Sequence, residues 1–112
     1  MKAAVCREFG KPLVIEEVTL AKPQASEMRV KISATAICHS DISYADGAWG
    51  GTLPAIFGHE SVGIVEEIGP GVTTVQVGDK VVMHWRPGSG IEANFPTYKL
   101  DGTSFSSGKV TT

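Results

Sequence analysis

The sequence predicts a mainly β protein of one domain, and three observations carry that prediction. Short runs rich in Val and Ile recur along its 112 residues. Thirteen glycines and six prolines punctuate them, as tight turns between strands require. No long stretch carries the 3.6-residue period of a helix. The length suits one modest core.

The elements follow in order. Lys2 to Cys6 is a first apolar run, Gly10-Lys11-Pro12 turns it, and Leu13 to Val18 returns as the second strand of a hairpin. Cys6 reads as a small buried hydrophobe within the first strand. Lys22 to Ser26 is loop. From Met28 to Ala36 the alternation is clear: Met28, Val30, Ile32, Ala34 and Ala36 share one face, Arg29, Lys31, Ser33 and Thr35 the other. This strand delivers Cys38 to its end. A short helix is expected from Ser40, with Ser40 or Asp41 near its N-cap and Ile42 and Ala45 facing inward. Gly47, Gly50 and Gly51 end it.

Leu53 to Ile56 then leads into Phe57-Gly58-His59-Glu60-Ser61-Val62-Gly63-Ile64-Val65, a strand that enters after a glycine and stops at Gly69-Pro70-Gly71. Val72 to Val77, a Gly78-Asp79 turn and a strand over Lys80 to Trp85 follow, with His84 a packed or edge histidine. Residues 86–112 are rich in Ser, Thr, Gly, Asn and Pro and read as an extended loop with little core.

Composition excludes several classes. A net charge of −2 offers no electrostatic footprint for nucleic acid. No apolar run reaches the roughly 20 residues of a membrane helix. Met1-Lys2-Ala3-Ala4-Val5-Cys6 lacks the apolar core of a signal peptide. Two cysteines, Cys6 and Cys38, are not a disulfide framework. The expected location is cytoplasmic.

The chemistry concentrates in two places, Cys38-His39-Ser40-Asp41 and His59-Glu60. Thiolate and imidazole are borderline-soft ligands that suit zinc. Cys38 and His59 are too far apart in sequence for a zinc knuckle, and ligands on separate rigid elements look more like a catalytic site. Asp41 and Glu60 are placed as carboxylates behind such ligands. From spacing alone a second account stands: Cys38 an inert buried thiol, His59 a core histidine, Ser40 and Asp41 helix caps, Glu60 a solvated charge.

Four blocks in order carry a resemblance: Ala36-Ile37-Cys38-His39-Ser40-Asp41; Pro54-Ala55-Ile56-Phe57-Gly58-His59-Glu60; Gly63 through Val72; and Val77-Gly78-Asp79-Lys80-Val81-Val82. The chain closely resembles the N-terminal, GroES-like catalytic domain of zinc-dependent medium-chain alcohol dehydrogenases, from Met1 to about Trp85. The resemblance implies a GroES-like, partly open β-barrel with one or two short helices. It implies Cys38 and His59 as two of three catalytic zinc ligands and Glu60 as a carboxylate near the metal. Asp41 would hold the His59 imidazole, and Ser40 would relay the proton of a small alcohol substrate. His39 matches a position facing the pyrophosphate of NAD or NADP in a full-length parent. Alcohol dehydrogenase is the standard example of a two-cysteine, one-histidine catalytic zinc site.

The sequence also departs from that family. No cysteine follows Cys38 to serve as third ligand, and Trp85 to Asn94 holds none of the four cysteines of a structural-zinc lobe, so no structural zinc is expected. Gly69-Pro70-Gly71 is a turn and not a dinucleotide fingerprint, because Thr74 stands at the third glycine's place and no βαβ unit surrounds it. The expectation is therefore the zinc- and substrate-binding half of an NAD(P)-linked dehydrogenase, incomplete and inactive alone. An open sheet edge would pair it with another copy. The alternative is a non-catalytic GroES-like binding or oligomerisation module without zinc. A true co-chaperonin is disfavoured, since nothing resembles its mobile binding loop.

Overall fold

Val-, Ile- and Thr-rich runs separated by glycines do fold as strands, eight of them among the described residues, with one short helix. The structure, a computed structural model, describes residues 1–85 and 97–106. The strands are β1 (Lys2–Val5), β2 (Val14–Glu17), β3 (Thr19–Leu20), β4 (Met28–Thr35), β5 (Glu60–Ile68), β6 (Lys80–His84), β7 (Thr97–Leu100) and β8 (Thr103–Ser106). The helix α1 (His39–Ala45) lies between β4 and β5. Among the described residues the architecture is mainly β, with sheets that do not close.

Three antiparallel sheets result: β1-β2, β3-β7-β8 and β4-β5-β6. The β1-β2 hairpin keeps the expected pairing, Ala3 opposite Glu16 and Val5 opposite Val14. Cys6, buried as expected, exchanges backbone hydrogen bonds with Ala55, so the chain before β5 is stitched to the first hairpin. A small core of Val5, Val18 and Leu100, with Ala3 and Ile56 against it, sits where the first two sheets meet.

The expected extended loop over residues 86–112 is corrected in part. Residues 97–106 form the β7-β8 hairpin, which turns at Asp101-Gly102 and contributes Leu100 to the core. Polar composition hid it, because strand pairing satisfies the backbone whatever side chains face solvent. The rest of that stretch, including the place of the missing metal lobe, lies outside the described residues. Val72 to Val77 forms no strand. Its flanks are committed to turns, Val72 N–H donating to Gly69 O and Asp79 N–H to Gln76 O.

The alternation of β4 is only partly realised as burial. Its pairing with β5 shifts register between Arg29 and Val30 and again between Ile32 and Ala34. The first leaves Glu66 of β5 without an opposite residue and the second leaves Ser33 of β4, which interrupts the alternation of β4. Ile32 is 50 % exposed and Met28 38 %. Gly63 opposes Ile32 because a Cβ there would run into the Lys31 carbonyl and the Val30 side chain.

Candidate metal centre

Two backbone features bring the two chemical blocks together. Where β4 ends and β5 begins, the Glu60 carbonyl accepts hydrogen bonds from Ala36 N–H (3.0 Å) and Thr35 Oγ1 (2.8 Å). That junction places Cys38, three residues past β4, beside His59, one residue before β5. Gly58 supplies the entry with φ +142 and open space around its Cα, a conformation that a side chain would strain.

The helix starts differently from expectation. Its N-cap is Cys38 and not Ser40 or Asp41. Asp41, at the third helical position, reaches back so that Cys38 N–H donates to its Oδ2 at 2.9 Å, the reciprocal half of a capping box. The helix ends at Ala45, with Asp46 as C-cap and Gly47 at φ +82. Ile42 is 49 % exposed and does not face inward as expected.

Five of the six candidate residues converge. His59 is 6 % exposed. Its Nδ1 lies 3.0 Å from Asp41 Oδ1, and neither buried atom has an aligned hydrogen-bond partner. Its Nε2 lies 3.4 Å from Ser40 Oγ and 3.6 Å from Glu60 Oε1. One donor atom each from Cys38, His59 and Glu60 falls within 4.8 Å of the others. His39 is exposed, and its carbonyl accepts from Ser43 Oγ at 3.2 Å; its side chain is not among those that converge.

The electrostatics match this arrangement. Hydrogen bonds from the Ser40 hydroxyl, the Ser40 backbone and His59 lower the Cys38 thiol below its ordinary range, against burial and the nearby Glu60 charge. Burial pulls the His59 imidazole down, but the Cys38 hydrogen bond and the charges of Asp41, Cys38 and Glu60 outweigh it and raise it. A thiol biased to thiolate is the readier metal donor, while the raised imidazole must give up a proton before its nitrogen can bind a metal.

The donor set can be tested against zinc. A thiolate, an imidazole nitrogen and a carboxylate are each common zinc ligands. Tetrahedral ligands at zinc bond lengths stand about 3.3–3.8 Å apart; the His59 Nε2–Glu60 Oε1 separation of 3.6 Å already fits, and the others, bounded by 4.8 Å, contract by about 1.5 Å at most. With Asp41 facing Nδ1, Nε2 is the nitrogen turned to the other donors. The residues fit the metal, and Glu60 stands where a third protein ligand is needed.

Sequence reasoning missed the aromatic residues around this cluster. The Tyr44 ring stacks on Phe57, with centroids 5.6 Å apart and planes at 16°. It also meets Trp49 edge-on at 4.7 Å and 86°. The available signal was positional: Tyr44 follows Ser40 by one helical turn, and Phe57 precedes His59 by two residues.

These elements make a mainly β domain whose two chemical blocks meet at one sheet end. Residues 24–108 match the alcohol dehydrogenase GroES-like domain, and the chain belongs to that family. Among solved structures it is similar to an alcohol dehydrogenase zinc-binding domain protein from Burkholderia ambifaria, at 40 % identity and a TM-score of 0.69 over 70 % of this chain and 21 % of that one. Benzyl alcohol dehydrogenase from Acinetobacter calcoaceticus is similar at 42 % identity and 0.68, over 70 % of this chain and 22 % of that one. The Escherichia coli quinone oxidoreductase complexed with NADPH is similar at 30 % identity and 0.71, over 73 % and 26 %. This chain thus spans about a quarter or less of each of these three.

Proposed function

We propose that this chain is the zinc- and substrate-binding half of a zinc-dependent, NAD(P)-linked alcohol dehydrogenase and does not turn over substrate alone. Family membership and the alcohol dehydrogenase neighbours support the catalytic half of an alcohol dehydrogenase-type enzyme. The observation that carries the zinc reading is the convergence of Cys38, His59 and Glu60 on a space bounded by 4.8 Å.

In this reading Cys38, His59 and Glu60 hold the metal. A bound zinc supplies Lewis acidity toward an alcohol or aldehyde oxygen. Asp41 holds the Nδ1 proton of His59 and so keeps Nε2 unprotonated and aimed at the metal. Ser40, 3.4 Å from Nε2, is the hydroxyl that moves the substrate proton. His39, exposed beside the cluster, faces the cofactor pyrophosphate in a full-length parent. The substrate is a small alcohol or aldehyde. The complexed NADPH of the quinone oxidoreductase neighbour supports a nicotinamide partner for the parent.

Zinc affinity of the metal-stripped chain tests this. The parent chain takes up one zinc, and Cys38→Ser and His59→Asn each weaken uptake by about a hundredfold or more. No uptake at saturating zinc, or uptake unaffected by both variants, overturns it. Alcohol oxidation by the isolated chain above a Cys38→Ala control would overturn the predicted inactivity.

A second reading, a non-catalytic binding or oligomerisation module, is favoured by the open sheets. The β4 and β6 edges are unpaired by any described strand. We propose self-association through such an edge whichever reading holds at the metal centre.

A further inference from the structure

We propose that Tyr44 is a positioning residue for the metal centre, bracing the helix that carries Cys38 against the segment that carries His59. The inference rests on the metal-binding reading for its consequence, but its geometry stands apart from any metal. Two chain segments build the site, and the α1 side holds three of its residues within four positions. A seven-residue helix with no buried residue is too short to hold its own orientation. Something must therefore fix it against the start of β5.

Asp41 contributes one contact across that gap, the 3.0 Å approach to His59 Nδ1. It is a poorly aligned one, since both atoms lack a proper hydrogen-bond partner. Ser40 Oγ, 3.4 Å from His59 Nε2, is a second, and the Tyr44–Phe57 stack, one helical turn from Ser40 and two residues from His59, is a third. Offset stacking fixes both separation and tilt, which a single off-line ion pair does not. Trp49, 58 % exposed, also packs on the Tyr44 ring, with the two planes near perpendicular. The ring thus clamps the helix C-terminal half, the loop after it and the approach to β5 around one centre. No described hydrogen bond uses the Tyr44 hydroxyl, so its plane is what acts.

The test compares Tyr44→Phe, which keeps the plane, with Tyr44→Leu, which keeps apolar bulk and raises helix propensity but removes the stack. Two readouts are taken on the full chain at one pH. The first is the His59 ring-nitrogen chemical shifts without metal, and the second is affinity for cobalt(II), read by thiolate-to-cobalt absorption. Backbone amide spectra of β4, β5 and β6 confirm that each variant is folded. Tyr44→Phe is expected to match the parent in both. Tyr44→Leu is expected to move the His59 shifts toward those of a solvated histidine and to weaken cobalt binding by about tenfold.

A Tyr44→Leu chain that is merely less stable, with His59 shifts and cobalt affinity unchanged, overturns the brace. So does a Tyr44→Phe chain that behaves like Tyr44→Leu, which would assign the role to the hydroxyl. If the parent binds no cobalt yet its His59 shifts depend on Tyr44 as described, the zinc reading falls and the brace stands.

Discussion

Asp41 carries two tasks with two oxygens, and they can be separated by substitution. Oδ2 accepts from Cys38 N–H and starts the helix, while Oδ1 faces the buried imidazole of His59. Asp41→Asn keeps the shape and loses the charge that fixes the imidazole tautomer. In the proposed zinc reading, removing such a partner behind a metal ligand costs about ten- to a hundredfold in metal affinity. A chelator competition at fixed pH is expected to show that loss, with the fold's amide spectrum retained. Unchanged affinity would reduce Asp41 to a helix cap. The carboxylate was legible as a partner of His59 because the family blocks align around it. That one residue also serves Cys38 was not, because the reciprocal cap appears only once Cys38 occupies the N-cap.

At the scale of elements, a charged link among the described residues runs from one sheet to another. Arg7, just past β1, donates to both oxygens of Glu16 in β2 (2.8 and 2.6 Å) and to Asp101 in the β7-β8 turn (2.7 Å). It thereby joins two sheets. The hydrogen bond from Arg7 holds the Glu16 carboxyl below its ordinary range. A group whose folded value is depressed contributes stability above its unfolded value and loses it as pH falls through the folded value. The melting temperature of the parent should therefore exceed that of Glu16→Gln at neutral pH. The difference should shrink toward zero as acid protonates Glu16. A difference that persists at the acid end would assign the effect to packing, not charge. The two hairpins differ in how visible they were. Gly10-Lys11-Pro12 between two apolar runs announced β1-β2, whereas β7-β8 has too few apolar residues to show a period.

At the scale of the whole molecule the interior is small. Among the described residues six hydrophobic side chains are buried, and fifteen large ones are exposed. Val62, Ile64 and Val82 lie on one face of the β4-β5-β6 sheet, since residues directly opposite across a ladder share a side. They are 40, 40 and 73 % exposed. Apolar sheet faces beside unpaired edges invite a second strand set. Sedimentation at rising concentration is expected to show a dimer or larger assembly, and Val82→Lys on the β6 edge strand is expected to shift it toward monomer. A strictly monomeric profile at high concentration sinks the proposal. No described helix is long and apolar enough to cross a membrane.

By itself the sequence determined the β class, the first hairpin, the strands leading to Cys38 and from Gly58, and which residues are candidates for the site. These follow from local pattern: alternation, turn glycines and ordered blocks of family residues. Only the tertiary structure decided that Glu60 stands with Cys38 and His59 as a third donor, that Cys38 caps the helix, and that Tyr44 spans the two segments. Each depends on which strand pairs with which and in what register. Register is set by long-range contacts such as the Glu60 carbonyl bridging Thr35 and Ala36, and no local period encodes those.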